Sequence, residues 1–166
     1  MNIRVAGITN DSVVDGAGIR LTVFTQGCPH HCPGCHNPQS HDFEGGKVRT
    51  TEEVLDIARE NFLLDGVTLS GGEPFAQALA CAEIARGAHD LGLNVWCYSG
   101  YTFEMLLNSG KAEWNELLKN VDVLVDGPFI LAKRTLDARF RGSSNQRIID
   151  VPASLQSGKI VLSKYN

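Results

Sequence analysis

Short apolar runs alternate along the chain with longer stretches whose apolar positions recur every three or four residues. Residues 19–25, β-branched and apolar, predict a first strand, and a loop rich in Pro, Gly and His follows from Gln26 to about Gly46. Thr50 and Glu53 have the spacing of a capping box and open a helix carrying Val54, Leu55, Ile57, Ala58 and Phe62. Residues 67–70 predict a second strand. A helix is expected over 75–91, with Cys81, Ile84, Ala85 and Ala88 on one face, and a third strand over 93–98. Two short helical pieces, 102–108 and 111–119, break at Asn108-Ser109-Gly110, and 121–125 gives a fourth strand. Residues 147–151 and 159–162 are expected to add a fifth and a sixth.

Strands separated by helical stretches imply parallel βαβ units with right-handed crossovers. A closed eight-unit barrel needs about 250 residues, so 166 residues allow one α/β domain, 1–166, of five or six units. The sheet is then an open partial barrel or a doubly wound one. Chemistry in such folds gathers where strands run into βα loops. Each of the first four strands leads into an unusual group: Gly27-Cys28, Ser70-Gly71-Gly72-Glu73-Pro74, Ser99-Gly100 and Asp126-Gly127-Pro128. All four are expected on one rim.

Composition narrows the partners. Fifteen Lys and Arg against nineteen Asp and Glu give a net charge of -4, without the basic excess that neutralising a phosphate backbone demands, so nucleic acid is not an expected partner. No apolar run approaches the roughly 18 residues of a membrane span, and residues 1–10 contain no continuous apolar core of a secretory signal. A soluble, cytoplasmic protein is expected, with its five cysteines as thiols. One local exception is the stretch 133–147, where Lys133, Arg134, Arg139, Arg141 and Arg147 face only Asp137. It is either a solvated face or a docking surface.

Three cysteines are clustered as Cys28-x3-Cys32-x2-Cys35. Four thiolates saturate a 4Fe-4S cube, so three without a nearby fourth suggest an iron left open to substrate. With His30, His31 and His36 interleaved, a Cys3His zinc site is the alternative, although structural zinc sites usually pair ligands a dozen or so residues apart. Gly71 and Gly72 lack side chains where backbone can approach a ligand, and Pro74 leads into the next helix. Ser99 and Asp126 carry groups that hydrogen-bond nucleosides, but Ser-Gly is also a common turn and Asp a common helix cap. Cys81 and Cys97 read as small buried hydrophobes. Gly16-Ala17-Gly18 precedes a strand, whereas a dinucleotide loop must follow one.

The stretch Asp15-Gly16-Ala17-Gly18-Ile19-Arg20, followed by Phe24, the cysteine triplet and Asn37, resembles the opening of radical S-adenosylmethionine (SAM) enzymes that activate glycyl-radical proteins. Ser70-Gly71-Gly72-Glu73-Pro74 resembles that family's methionine-binding strand end. Small size, Asp126-Gly127-Pro128-Phe129 and Arg141-Gly142-Ser143-Ser144-Asn145-Gln146-Arg147 narrow the resemblance to the branch that activates anaerobic ribonucleotide reductases. It implies an incomplete (β/α) barrel of the radical SAM type. It also implies one 4Fe-4S cluster on Cys28, Cys32 and Cys35, SAM bound at its open iron, and reductive cleavage to a 5'-deoxyadenosyl radical that takes a hydrogen from a glycine. The implied SAM contacts are Gly34, Cys35, His36, Gly71, Gly72, Glu73, Ser99 and Asp126, with no catalytic side chain beyond the cluster ligands. A side chain at Gly72 is expected to obstruct the methionine moiety without disturbing cluster assembly. Many relatives carry an aromatic residue just before the third cysteine; Gly34 stands there, and the backbone around it and the His36 ring are expected to replace that contact. The implied partners are the glycyl-radical subunit of the reductase and a one-electron donor such as flavodoxin or ferredoxin. Other activities of this kind, on pyruvate formate-lyase or a small molecule, and a zinc-stabilised or electron-transfer binding module remain the alternatives.

Overall fold

The computed structural model of the chain describes residues 1–166. Its strands are β1 (Asn2–Ser12), β2 (Arg20–Thr25), β3 (Lys47–Thr50), β4 (Gly66–Gly71), β5 (Asn94–Tyr98), β6 (Val123–Asp126) and β7 (Arg147–Asp150). Its helices are α1 (Thr51–Glu60), α2 (Ala78–Asp90), α3 (Phe103–Leu107), α4 (Ala112–Leu118) and α5 (Val151–Ser157). The strands form one mixed sheet in the order β3-β1-β2-β4-β5-β6-β7. Its centre, β2-β4-β5-β6, is parallel, joined by α1, α2 and the α3–α4 pair.

The edges correct the expectation of five or six parallel units. β7 runs antiparallel to β6 because no helical crossover separates them, only an irregular excursion over 127–146. Residues 159–162 contribute a single bridge, Ile149 to Leu162, in place of a sixth strand. On the other side β1 pairs antiparallel with both β2 and β3, neither of which the apolar pattern around them announced as neighbours. The predicted capping holds: the Thr50 side chain accepts the Glu53 N–H. Helix α1 nevertheless ends at Glu60, and Phe62 stands outside it, 96% exposed.

Strand alternation divides the two faces of the sheet. Leu21, Val23, Val67, Leu69, Val95, Cys97 and Leu124 point to α1, α2 and α4 and build the main core with Val54, Ala58, Cys81, Ile84, Ala85, Ala88 and Leu117. The small residues of α2 let that helix lie close to the sheet. The opposite face carries Arg20, Thr68, Trp96, Tyr98 and Val125. There the wholly buried Arg20 donates to Thr68 Oγ1 at 2.6 Å and to the carbonyls of Ala17 and Val67 at 2.8 and 2.9 Å, with its guanidinium 5.5 Å from the Trp96 ring. Burial lowers its pKa to about 10, and those acceptors offset the cost of holding the charge.

Candidate functional site

Because β2, β4, β5 and β6 are parallel neighbours, their C-terminal ends share one rim, as the motifs predicted. A cavity of about 330 Å³ opens there. Cys28, Cys32, Cys35, His36 and Asn37 line it from the β2 loop, Ser70, Gly71 and Gly72 from β4, Ser99 and Gly100 from β5, and Gly127 and Phe129 from β6. Phe140, Arg141, Gly142 and Gln146 close it from the excursion before β7.

Cys28 is buried and Cys32 and Cys35 are half-buried, while Cys81 and Cys97 are wholly buried in the core. The three loop thiols line the same cavity but do not converge on a point, and no three His, Cys, Asp or Glu side chains stand close enough together to hold a single metal ion. Backbone N–H groups already point at the sulfurs: Asn37 donates to Cys35 Sγ at 3.4 Å, and His30 and His31 donate toward Cys28. Burial raises the Cys28 thiol above its ordinary value, and those donors counteract it by favouring a thiolate. Hydrogen bonds to sulfur are also what tunes a bound cluster. The donor set therefore fits a 4Fe-4S cluster, and core burial raises the pKa of the two remaining thiols as well.

Gly71 and Gly72 bring β4 against the cysteine loop. Gly71 has φ +88°, and a Cβ there would lie 2.5 Å from the Thr25 nitrogen; a Cβ on Gly72 would lie 2.5 Å from the Gly27 carbonyl oxygen and 3.0 Å from that of Ser40. A side chain at Gly72 thus presses on the loop that carries the cysteines. This corrects the expectation that Gly72→Val would spare cluster assembly. The turn beyond is held by Glu73 N–H donating to Gly27 at 2.9 Å.

Two of the predicted SAM contacts point elsewhere. The Glu73 side chain is fully buried and accepts from His30, Ser99, Gly100 and Phe75. Asp126, 1% exposed, accepts from Phe103 N–H at 2.8 Å and from Arg147 at 3.1 and 2.5 Å. Arg147 also binds Glu104 at 2.6 Å, so it pins the end of the 127–146 excursion to β6 and α3. Ser99 faces the cavity, but its hydroxyl donates to Glu73 at 3.0 Å and accepts the Tyr101 N–H at 3.1 Å.

Gly34 has φ +77°, and a Cβ there would meet Leu131 Cδ1 at 2.8 Å and Phe129 Cε1 at 3.3 Å. The space that an aromatic side chain at this position would need is taken by the excursion, whose Phe129 ring lies 5.1 Å from that of His36. Phe129, Tyr98, Phe140 and Gln146 are cavity residues to which the sequence assigns no role, and Arg141, expected only in a basic face, lines the cavity as well. Phe129, Arg141 and Gln146 belong to the quoted motifs, whereas Tyr98 and Phe140 carry no local signal. Four cations of the excursion, Lys133, Arg134, Arg139 and Arg141, have no carboxylate partner, and the first three are exposed.

Residues 14–149 match the 4Fe-4S single cluster domain family. The chain is 34% identical over 144 residues to the anaerobic ribonucleoside-triphosphate reductase-activating protein of Vibrio cholerae, a match covering 82% of this chain and 90% of that protein. The proteins of the same name from Escherichia coli K12 and phage T4 are 31% and 30% identical over 143 residues, 81% of this chain and 90% and 86% of theirs. In shape it resembles QueE from Escherichia coli, with a TM-score of 0.52 and 15% identity over 61% of this chain and 54% of that one, which shows a shared fold. Through the cysteine triplet, the Gly-Gly-Glu-Pro strand end and these relatives, the chain belongs to the family of anaerobic ribonucleoside-triphosphate reductase-activating proteins.

Proposed function

We propose that this protein generates the glycyl radical of an anaerobic ribonucleoside-triphosphate reductase. The observation that supports this best is the placement of three thiols and the Gly71-Gly72 backbone in the lining of one cavity. Cys28, Cys32 and Cys35 would hold a single 4Fe-4S cluster, which three thiolates would leave open to SAM. When both groups are bound, the chemistry they supply is one-electron cleavage of the sulfonium to methionine and a 5'-deoxyadenosyl radical, which removes a Cα hydrogen from the partner's glycine.

The chain's own residues bind, orient and exclude water. The carbonyls of Gly71 and Gly72 receive the ammonium of the methionine end, with Ser99 beside them, while the Gly72 N–H is taken by the Thr25 carbonyl at 2.7 Å. Gly34, Cys35 and His36 form the nucleoside side, and Phe129 supplies the aromatic surface that position 34 lacks. Glu73 and Asp126 act one step back, by holding the walls. No side-chain acid or base is needed, and Tyr98, whose phenol burial keeps protonated, adds polarity without acting as one. The sheet is read as part of an incomplete (β/α) barrel within one domain, 1–166, whose open side admits a loop of a large partner. Glycine suits such a loop because it has no Cβ to obstruct the approach. The electron comes from a flavodoxin or ferredoxin, and the reaction belongs in the cytoplasm. No helix is long and apolar enough to cross a membrane.

Anaerobic reconstitution with iron and sulfide, reduction and addition of SAM test this directly. The expected product is 5'-deoxyadenosine from the wild type and none from Cys32→Ala. Zinc retention with no product would favour the binding module.

A further inference from the structure

We infer that Glu73 is a positioning residue: its buried carboxylate clamps His30, and through it the cysteine loop, to the ends of β4 and β5 and does not bind the methionine ammonium. This rests on the proposed reading of the site. His30 Nε2 lies 2.6 Å from Oε1, Gly100 N–H donates to the same oxygen at 2.9 Å, Ser99 Oγ lies 3.0 Å from both oxygens, and Phe75 N–H donates to Oε2 at 3.0 Å. Every neighbour is a donor, as an acceptor-only carboxylate requires, and the roughly four lone-pair sites of the group are taken. None is left for a further cation.

His30 sits between Cys28 and Cys32, and its bond to Glu73 is the only side-chain hydrogen bond from residues 29–36 to the sheet. Within that segment one backbone N–H pairs with a backbone carbonyl, Cys35 to Cys32, and His31 adopts φ 48°, a left-handed conformation that a non-glycine residue keeps only where its surroundings hold it. The clamp is built tightly. A Cβ on Gly100 would lie 2.5 Å from the His30 ring, and the Tyr101 ring covers its other side with centroids 4.5 Å apart. Glycine at position 100 therefore admits His30, and His30 sets where Cys28 and Cys32 can be.

Glu73→Gln removes the charge and one acceptor from one end of the clamp, and His30→Leu removes the donor from the other while leaving Glu73 in place. In the metal-free protein, amide hydrogen exchange over 28–37 should accelerate about tenfold or more in both, the loss of one charge-assisted hydrogen bond. After reconstitution both should lose iron to a chelator about tenfold faster and show an altered electron paramagnetic resonance spectrum of the reduced cluster. The double variant should be little worse than either single one, and SAM affinity of the intact cluster should stay within about threefold of wild type. Loss of SAM affinity in Glu73→Gln alone, with exchange and chelator rates unchanged, would overturn the clamp and make Glu73 a ligand of the cofactor. Additive effects in the double variant would equally overturn it. Failure of the wild type to assemble any cluster would strike the proposed function and leave the exchange measurement standing.

Discussion

Replacing Arg147 by Met should destabilise the fold, because it strips a buried rim carboxylate of its charged partner. The guanidinium is 32% exposed but its partner Asp126 is 1% exposed, and their two bonds of 3.1 and 2.5 Å leave the carboxylate, once Arg147 is gone, with one Phe103 N–H. Removing one partner of a buried pair costs about 3 to 5 kcal/mol; partial exposure of Arg147 places this case near about 3. At about 2 to 4 °C per kcal/mol for a chain of this size, the melting temperature should fall by about 6 to 12 °C. Glu104, the other partner of Arg147, is 55% exposed, so Glu104→Gln should cost under about 1 kcal/mol. The hydrogen bond from Arg147 holds the Glu104 carboxyl below its ordinary 4.5, so that small contribution is present above pH 4.5 and disappears as pH falls through the lowered value. Circular dichroism melts of metal-free protein at neutral pH read both substitutions, and melts repeated below pH 4.5 read the pH dependence. The double variant Asp126→Asn/Arg147→Met should be more stable than Arg147→Met alone, because the unpaired buried charge is gone. A loss no larger than that of Glu104→Gln, or a double variant less stable than the single, would refute the reasoning.

Single Cys→Ala changes at 28, 32 or 35 should abolish retained iron, whereas Cys81→Ala and Cys97→Ala should keep it; iron analysis after anaerobic reconstitution decides this. Gly72→Ala should lower both iron content and thermal stability, since its Cβ meets the Gly27 carbonyl at 2.5 Å, and an iron-replete variant of wild-type stability would contradict that packing. Changing Lys133, Arg134 and Arg139 to Ser should slow glycyl-radical formation about tenfold at low salt, the scale of electrostatic steering. Uncoupled SAM cleavage should be nearly unchanged, and equal loss of both rates would move the segment out of partner docking.

The parallel centre of the sheet was legible because its strands are short, continuously apolar and bounded by Gly, Ser or Pro groups. Those same groups told in advance where the rim would be. β1 and β3 were not legible: Ile3 and Val5 alternate with polar residues, and Lys47–Thr50 is a four-residue polar edge whose pairing only the third dimension supplies. The direction of β7 was likewise hidden, since it depends on the path of the excursion. At the site, spacing sufficed for the cysteines and glycines, which act through backbone and loop. It does not resolve which way Glu73 and Asp126 turn, because a carboxylate after a strand reads the same whether it points toward a ligand or back toward His30 and Arg147. Phe129 escaped for a related reason: that it fills the space beside Gly34 follows from a contact across 95 positions, 129 less 34, and not from either neighbourhood.

The most direct test of the account combines reconstituted wild-type protein, a reductant and SAM with the large subunit of an anaerobic ribonucleoside-triphosphate reductase in sealed tubes. Electron paramagnetic resonance then looks for a carbon-centred signal on the reductase. The predicted result is a glycyl-radical doublet that depends on SAM, is lost with Cys28→Ala, Cys32→Ala or Cys35→Ala, and collapses in splitting when the reductase is labelled with Cα-deuterated glycine. SAM cleavage to 5'-deoxyadenosine with no radical on the reductase would contradict it and assign the cavity to another substrate.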